Sequence, residues 1–179
     1  LAGIDTTPKN GQKWYEVGTE WAKSKGITDG TNPEASVTRE QLATLLYRFY
    51  GSPAISGTLR FADAGAVSAY AQDALLWATQ NGIMNGVGNN CVAPSADAQR
   101  AQVAAMLYRY AVKIAGIRTD ERAELGRFTD SAKINAYAIT AMRWAVGCGY
   151  LKGNGAKLNP QTGANRAEVA VLLHRYLTK

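Results

Sequence analysis

Histidine and cysteine are the scarcest reactive residues of this 179-residue chain, which contains one histidine and two cysteines. One imidazole and two distant thiols, Cys91 and Cys148, do not form a plausible zinc ligand set. The sequence also lacks the HExxH, GxSxG and P-loop patterns, so a serine–histidine or cysteine–histidine site would depend on His174 alone. The two cysteines are too few for a disulfide framework, and the sequence leaves open whether they form one bond or none.

Long apolar runs are also absent. No run approaches the roughly 20 residues that a membrane-spanning helix needs, so we expect no insertion into a membrane. The first residues lack the basic and apolar regions of a signal peptide, although a mature or excised fragment would have lost one. Hydrophobic residues still make up 46% of the chain, which predicts a folded protein with a sizeable core.

Acidic residues are outnumbered by basic ones, because 14 Asp and Glu face 20 Lys and Arg, for a net charge of +6. This balance favours an anionic partner such as nucleic acid, an acidic polysaccharide or an anionic membrane surface. The basic residues are scattered along the chain and do not form a patch in the sequence. Nucleic acid is therefore disfavoured as the partner.

Three superposable stretches organise the chain, each centred on an arginine that begins an apolar helix pattern. These arginines are Arg39, Arg100 and Arg166, each six residues after a proline. Apolar residues follow them with the i, i+3, i+4, i+7 spacing of one helix face. Each predicted helix also has an arginine near its end, where a cation complements the helix dipole: Arg48, Arg109 and Arg175.

A Trp-Ala pair lies upstream of each arginine, with a glycine five residues after the tryptophan and an aromatic residue seven residues before it. Aromatic residues at i and i+7 share one helix face, and the glycine predicts the end of that helix. A GxxxG spacing follows, which we interpret as a helix end plus a turn. The tryptophans are Trp21, Trp77 and Trp144; the upstream aromatics are Trp14, Tyr70 and Tyr137; the glycines closing each GxxxG are Gly30, Gly86 and Gly153.

A Phe-x-Asp entry precedes the aromatic residue in two copies, at Phe61–Asp63 and Phe128–Asp130. At the corresponding place near the N-terminus only Ile4-Asp5 is found, two residues farther away. The pattern divides the chain into segment 1 (residues 1–55), segment 2 (56–116) and segment 3 (117–179). Units of this size with two helices each would not be stable alone, so we expect the three to share one core.

In its order of motifs the sequence resembles three tandem S-layer homology domains, which cover nearly the whole chain. The resemblance implies a mostly helical, all-α fold, in which three repeats form a pseudo-threefold trimer around a central three-helix bundle. It also implies a non-catalytic module that attaches bacterial surface proteins to the cell wall through secondary cell-wall polysaccharides, which often carry pyruvate ketals on N-acetylmannosamine. We therefore expect a monomeric, extracellular module of a larger surface protein, without cofactor or metal.

The arginine motif departs from the T-R-A-E pattern usual in that family, since it occurs here as TREQ, QRAQ and NRAE. Thr38 and Asn165 are good helix caps with a Gln or Glu three residues later, whereas Gln99 is a poorer cap, by about 1 kcal/mol. Because the grooves of this family form between adjacent repeats, the three sites are expected to be unequal.

Arg39, Arg100 and Arg166 are the first candidate ligand-binding residues, because the helix dipole disfavours a cation at the first helical position and capping does not explain them. Free N–H groups at a helix N-terminus together with a guanidinium would bind a carboxylate such as that of a pyruvate ketal. The alternative is a bridge to a carboxylate of a neighbouring repeat, such as Asp63 or Asp130. Both roles can coexist without ligand.

The remaining candidates each have two interpretations. Asp63 and Asp130 either accept hydrogen bonds from sugar hydroxyls, as the resemblance implies, or cap the first helix of their segment. The upstream aromatics Trp14, Tyr70 and Tyr137 match the family's ligand-side aromatic and would stack on a sugar, or else they pack. The glycines Gly30, Gly86 and Gly153 permit positive φ and close backbone approach, which a turn alone also explains. Trp21, Trp77 and Trp144 are predicted to be core residues, and His174 a packing or surface aromatic.

Two other functions make different demands on these residues. A helical-repeat interaction or structural module that does not bind glycan would have its arginines bridged and would expose an apolar patch. A glycosidase would need two facing carboxylates, and no such pair is indicated by the spacing. For the glycan-binding function we expect the triple replacement of Arg39, Arg100 and Arg166 by alanine to abolish binding without unfolding the helices.

Overall fold

Six α-helices and four short 3-10 helices make up the regular structure in a computed structural model that describes residues 9–117, 120 and 122–178. The helices are α1 (Glu16–Ser24), α2 (Arg39–Tyr50), α3 (Gln72–Gln80), α4 (Arg100–Lys113), α5 (Ile139–Gly147) and α6 (Arg166–Thr178). Strand-like backbone pairing in the described residues is limited to isolated β-bridges. The predicted all-α fold class is confirmed, while Ile4 and Asp5 lie outside the described residues. None of the described helices is long and apolar enough to cross a membrane.

The second helix of each segment begins where the sequence predicts it. At α2 the Thr38 hydroxyl accepts a hydrogen bond from the Gln41 N–H at 3.3 Å, and Gln41 Oε1 accepts one from the Thr38 N–H at 3.0 Å. At α6 the same reciprocal pair joins Asn165 and Glu168, at 2.8 and 3.1 Å. Both predicted capping boxes are therefore confirmed.

The first helices end at the predicted glycines. Gly26, Gly82 and Gly149 have φ values of +67°, +62° and +71°. A backbone in this left-handed region cannot continue an α-helix and is adopted most easily by glycine. These three stops turn the chain back toward the loop that leads into α2, α4 or α6.

Each first helix packs on the second helix of another segment. Helix α3 lies against α2, α5 lies against α4, and α1 lies against α6, so the N-terminal helix closes on the C-terminal one. The tryptophans of these first helices are buried at 8%, 2% and 1% exposure, which confirms their predicted core role: Trp21, Trp77 and Trp144. His174 is 2% exposed, and its ring centroid lies 5.1 Å from that of Trp21, so it is a packing residue.

Backbone hydrogen bonds close a ring between the three loops that precede α2, α4 and α6. The Ala98 N–H donates to the Val37 carbonyl at 2.7 Å, the Val37 N–H to the Ala164 carbonyl at 2.9 Å, and the Ala164 N–H to the Ala98 carbonyl at 2.8 Å. The three residues occupy the same position of their segments, one before each N-cap. A cyclic set of this kind favours the predicted pseudo-threefold arrangement.

Equivalent aromatic residues meet farther along the same helices. Phe49 of α2, Tyr110 of α4 and Tyr176 of α6 contact one another, with ring centroids 5.6 to 6.2 Å apart. The second helices therefore share an aromatic cluster beyond the ring of loops. Cys91 and Cys148 do not form a disulfide in the described part of the chain, so of the two outcomes left open for them the structure has the one without a bond.

Candidate functional site

Arg39 is buried and binds the backbone of segment 2. Its Nε donates to the Val92 carbonyl at 2.8 Å and its Nη2 to the Asn85 carbonyl at 2.9 Å, and only 5% of the residue is exposed. Burial lowers the pKa of the guanidinium, which nevertheless stays protonated at neutral pH. Arg39 is thus a bridge between segments, but to carbonyls and not to the carboxylates that the sequence suggested.

Arg100 makes the equivalent bridge from segment 2 to segment 3. Its Nε donates to the Leu158 carbonyl at 2.9 Å and its Nη2 to the Lys152 carbonyl at 3.0 Å. Its Nη1 also forms an ion pair with Glu168. The side chain is 14% exposed, so one edge of the guanidinium reaches the surface.

Arg166 completes the cycle from segment 3 to segment 1, with different partners. Its Nη2 donates to the Thr28 hydroxyl at 2.9 Å and pairs with the carboxylate of Asp29. The side chain is 25% exposed and that of Asp29 is 62% exposed. A solvent-exposed ion pair of this kind contributes little to stability and can exchange partners with a ligand.

The helix N-termini beside these arginines are not free, and the expectation that they offer N–H groups to an anion is wrong. The N–H groups of Arg39 and Glu40 donate to the carbonyls of Ala96 and Pro94 at 2.9 and 3.0 Å. The equivalent amides bond in the same way: Arg100 and Ala101 to Thr162 and Pro160, and Arg166 and Ala167 to Ala35 and Pro33. A ligand carboxylate must therefore be bound by side chains.

Asp63 and Asp130 lie behind the loops and do not cap helices. The carboxylate of Asp63 accepts the Val92 N–H at 2.9 Å and the Ala93 N–H at 2.7 Å. Asp130 accepts the N–H groups of Leu158 and Asn159 at 2.9 and 2.7 Å. Neither side chain makes a capping hydrogen bond, so the capping alternative is wrong. Each aspartate fixes the loop whose carbonyl receives Arg39 or Arg100.

These bonds predict a stability loss in acid. The Val92 N–H and the other backbone donors lower the pKa of Asp63; burial would raise that of Asp130, but its backbone donors outweigh burial and lower it too. A depressed folded-state pKa stabilises the fold above the unfolded pKa of about 3.9, and this contribution is lost as the pH falls through the folded value. We expect the melting temperature to decrease when the pH is lowered below about 4. In the Asp63→Asn/Asp130→Asn variant the melting temperature should decrease less steeply over the same pH range. The same slope as in the exposed control Asp73→Asn would contradict this.

The three upstream aromatics are among the most exposed apolar side chains. Trp14, Tyr70 and Tyr137 are 53%, 53% and 48% exposed. The Tyr70 hydroxyl donates to Glu40 Oε1 at 3.1 Å, and Glu40 is itself only 6% exposed. Burial raises the pKa of Tyr137, and the charge of Arg39 opposes this shift because the two side chains are close. A role for Glu40 in orienting an aromatic side chain was not predicted from the sequence.

The closing glycines are needed for two different reasons. Gly30 has φ +77°, as predicted, but Gly86 and Gly153 do not have positive φ, which corrects that part of the prediction. A Cβ on Gly86 would lie 2.9 Å from the Cys91 carbonyl oxygen. A Cβ on Gly153 would lie 2.7 Å from Phe128 Cε1. Close packing on the phenylalanine and the loop therefore explains these two glycines.

One groove, here called the large groove, has a volume of about 650 Å³ and lies between segments 2 and 3 with one wall from segment 1. Trp14, Arg100, Lys152, Glu168 and Arg175 contribute to its lining. Three cations, one carboxylate and an exposed indole thus line the same groove.

A smaller groove of about 250 Å³, here the small groove, contains Arg48, Tyr70 and Arg166. No hydrogen bond or ion pair engages the exposed Arg48 guanidinium among the described residues. At the third equivalent place burial raises the pKa of Tyr137 while the charges of Arg39 and Arg109 both act to lower it, and Arg109 Nη1 donates to the Ile83 carbonyl at 3.2 Å. The structure thus brings together in each place an initial arginine, a glycine loop and an aromatic from three different segments.

Sequence reasoning assigned Arg48, Arg109 and Arg175 only to the helix dipole, whereas the structure places them at these three positions. Arg175 Nη1 donates to the Tyr150 carbonyl at 3.3 Å, as Arg109 does to Ile83. Their common register at the end of α2, α4 and α6 was the signal that could have identified them. Among the described residues no cluster of three or more potential metal ligands occurs.

Comparison with known families gives a match to the S-layer homology domain at residues 60–104 and 127–170. An amylopullulanase from Thermoanaerobacterium thermosulfurigenes is 33% identical over 104 residues, or 53% of this chain. The exoglucanase XynX from Acetivibrio thermocellus is 33% identical over 109 residues, or 56% of this chain. The surface-layer 125 kDa protein from Lysinibacillus sphaericus is 27% identical over 148 residues, or 80% of this chain. These alignments span 6%, 10% and 12% of the relatives' own lengths.

Proposed function

Because the chain belongs to the S-layer homology family, with two tandem domains matched, we propose that it anchors a protein to the bacterial cell wall by binding an anionic polysaccharide in the large groove. S-layer homology domains are non-catalytic anchoring domains, and proteins that carry them are associated with the wall at the cell surface. The proposal concerns anchoring by this chain and makes no statement about the activity of a larger protein to which it is joined. The relatives include two named as glycan-degrading enzymes and one named as a surface-layer protein.

We also propose that residues 1–55 form a third repeat of the same kind, with boundaries at 55/56 and 116/117. Three observations support this. Val37 is a member of the backbone ring with Ala98 and Ala164. Helix α1 packs on α6 as α3 packs on α2. Trp14 of segment 1 also lines the large groove, together with residues of segments 2 and 3.

The composition of the large groove is the observation that carries the glycan proposal. The exposed indole of Trp14 offers a flat apolar surface for the C–H face of a sugar ring or a ketal methyl group. Arg100, Lys152 and Arg175 offer hydrogen-bond donors and positive charge to a carboxylate. A pyruvylated N-acetylmannosamine unit presents both features within one residue, and we propose it as the bound unit.

The initial arginines then act chiefly through the loops. Arg100 holds the Lys152 carbonyl and so shapes one wall of the large groove, while the exposed edge of its guanidinium faces the ligand. Arg39 is too buried for direct contact with a polymer. We therefore propose Arg175, Trp14 and Arg100 as the main ligand contacts, and the equivalent positions of the small groove, Arg48 and Arg166, as a weaker site.

Co-sedimentation with Gram-positive cell-wall sacculi tests the proposed function. Binding should disappear when acid extraction removes the secondary polymer from the sacculi. Binding that survives extraction would indicate peptidoglycan and would contradict carboxylate capture. The interaction module without glycan binding is the second candidate, favoured by the bridging of Arg39, Arg100 and Arg166. Absence of binding to sacculi from several hosts would support it.

Single replacements in the large groove should separate binding from folding. We expect Trp14→Ala and Arg175→Gln each to weaken binding to sacculi by about tenfold or more, because each removes a main ligand contact. Both side chains are at least partly exposed, so the helical circular dichroism spectrum should be unchanged. Arg48→Gln, at the same register in the small groove, is the matched control and should have a smaller effect. Equal losses for Arg48→Gln and Arg175→Gln would contradict the ranking of the grooves.

A further inference from the structure

We propose that the large groove continues over the glycine loop of segment 3 into a second anion-binding subsite formed by Arg127 and Lys152, which takes the next acidic unit of the same polysaccharide chain. This subsite, here called the outer groove, has a volume of about 490 Å³. The inference rests on the proposed function, and it adds that the ligand is recognised as an oligomer and not only as a single terminal sugar.

The two grooves share a wall. Leu151, Lys152 and Gly153 line both the large groove and the outer groove. The outer groove also reaches Arg127, Phe128 and Gly155 on the far side of the loop. The loop between them is therefore a ridge with one groove on each side, and a polymer bound in one groove would cross it to reach the other.

The ridge has no side chain at its crossing point. Gly153 is exposed, and a Cβ there would collide with Phe128 Cε1 at 2.7 Å and with the Lys157 carbonyl oxygen at 2.8 Å. Gly155, two residues on, is also exposed and has φ +58°. A residue with a Cβ is thus excluded at Gly153 and disfavoured at Gly155. Without side chains at these two positions, the exposed backbone of the loop offers a surface on which a saccharide can lie.

The cations of the outer groove are available to a ligand. Arg127 and Lys152 are exposed, and within the described part of the chain neither side chain has a hydrogen bond or an ion pair. The Arg127 guanidinium lies 4.7 Å from the centroid of the Phe128 ring, which is 5% exposed. This cation–π contact fixes the guanidinium while leaving its N–H groups unused.

The carboxylates nearest in sequence do not neutralise these cations. Asp130 is buried and accepts backbone N–H groups of Leu158 and Asn159. Glu124 pairs with Arg143. The outer groove therefore keeps its positive charge, and an anionic unit is the chemistry that fits it. Because Lys152 faces both grooves, two successive acidic units of one chain would share it.

Segment 2 offers a matched position without the second cation. Arg60 occupies the place of Arg127 and precedes Phe61 as Arg127 precedes Phe128, but Asn85 stands where segment 3 has Lys152. An exposed arginine alone does not make the subsite, so Arg60 is the control for a general effect of positive charge.

The test compares two probes by isothermal titration calorimetry. One is a methyl glycoside of pyruvylated N-acetylmannosamine, and the other is a fragment of acid-extracted secondary polymer that contains two acidic units. We expect the protein to bind the fragment about tenfold more tightly than the single unit. Arg127→Ala should remove this advantage while leaving affinity for the single unit unchanged, and Arg60→Ala should change neither.

The outcomes separate this inference from the proposed function. Equal affinity of the unmodified protein for both probes, or an Arg127→Ala variant that keeps the advantage of the fragment, would overturn the outer subsite while the large groove stands. A loss in Arg60→Ala equal to that in Arg127→Ala would also overturn it, because charge alone would then be the cause. If neither probe binds, the proposed function fails, and this inference fails with it.

Discussion

Replacement of Arg39 by alanine is expected to lower the free energy of unfolding by about 3 kcal/mol. The side chain is 5% exposed, and it donates to the carbonyls of Val92 and Asn85. Its removal leaves the buried Val92 carbonyl without this donor and opens a cavity between segments 1 and 2. Urea denaturation followed by circular dichroism measures the change.

Arg166→Ala is the matched control, because Arg166 occupies the same first position of its helix. Its side chain is 25% exposed, and its ion-pair partner Asp29 is 62% exposed. We expect a loss of only about 0.5 kcal/mol there, since exposed pairs contribute little. Equal losses in the two variants, or an Arg39→Ala variant as stable as the unmodified protein, would contradict the assignment of Arg39 as a structural bridge.

This contrast revises the expectation for the triple alanine variant. Arg39, Arg100 and Arg166 were expected from the sequence to be dispensable for folding, because ligand binding was preferred to a bridge to a carboxylate as the reason for a cation at the first helical position. The structure gives the other reason, which is the cyclic attachment of each helix to the loop of the next segment. A triple variant that has lost binding would therefore also be destabilised, and groove residues such as Arg175 are the cleaner probes.

The helices could be predicted because their signals are local. The period of the apolar residues, the capping box at Thr38 and the glycine stop after Trp21 each act within one or two helical turns. The structure confirms all three. Repetition of the pattern was itself a signal. A single copy of the motif is only weak evidence for a family, whereas copies that recur in register are specific evidence for a repeat protein of that family.

The site could be predicted only in part, because its parts come from different segments. The aromatics and initial arginines were found by repetition, and Trp14 does lie in the large groove with Arg100. The acceptors of the first N–H groups of α2 could not be predicted, because the carbonyls of Ala96 and Pro94 belong to residues more than fifty positions away in the sequence. Glu40 was missed because the candidates were identified by repetition, and α4 and α6 have Ala101 and Ala167 at the position of Glu40.

Gly18→Ala is expected to destabilise the protein by about 2 kcal/mol, although the same change in an open helix would stabilise it by up to about 1 kcal/mol. Gly18 lies in α1, and a Cβ there would be 2.8 Å from Val171 Cγ2 and 2.9 Å from Val171 Cα of α6. The corresponding residues of α3 and α5 are Ala74 and Ala141, so the close approach is particular to the pair that closes the chain. Thermal unfolding measures the loss.

The same variant connects the fold to the proposed function. Trp14 stands just before α1, so a helix α1 displaced from α6 takes the indole out of the large groove and weakens binding to sacculi. Val171→Ala added to Gly18→Ala should recover part of the stability, because it removes the Cγ2 contact but not the backbone one. Gly65→Ala, where a Cβ meets nothing within 4 Å, is the control. If Gly18→Ala were as stable as Gly65→Ala, α1 would not pack on α6 as closely as the structure has it, and the contribution of segment 1 to the groove would lose its support.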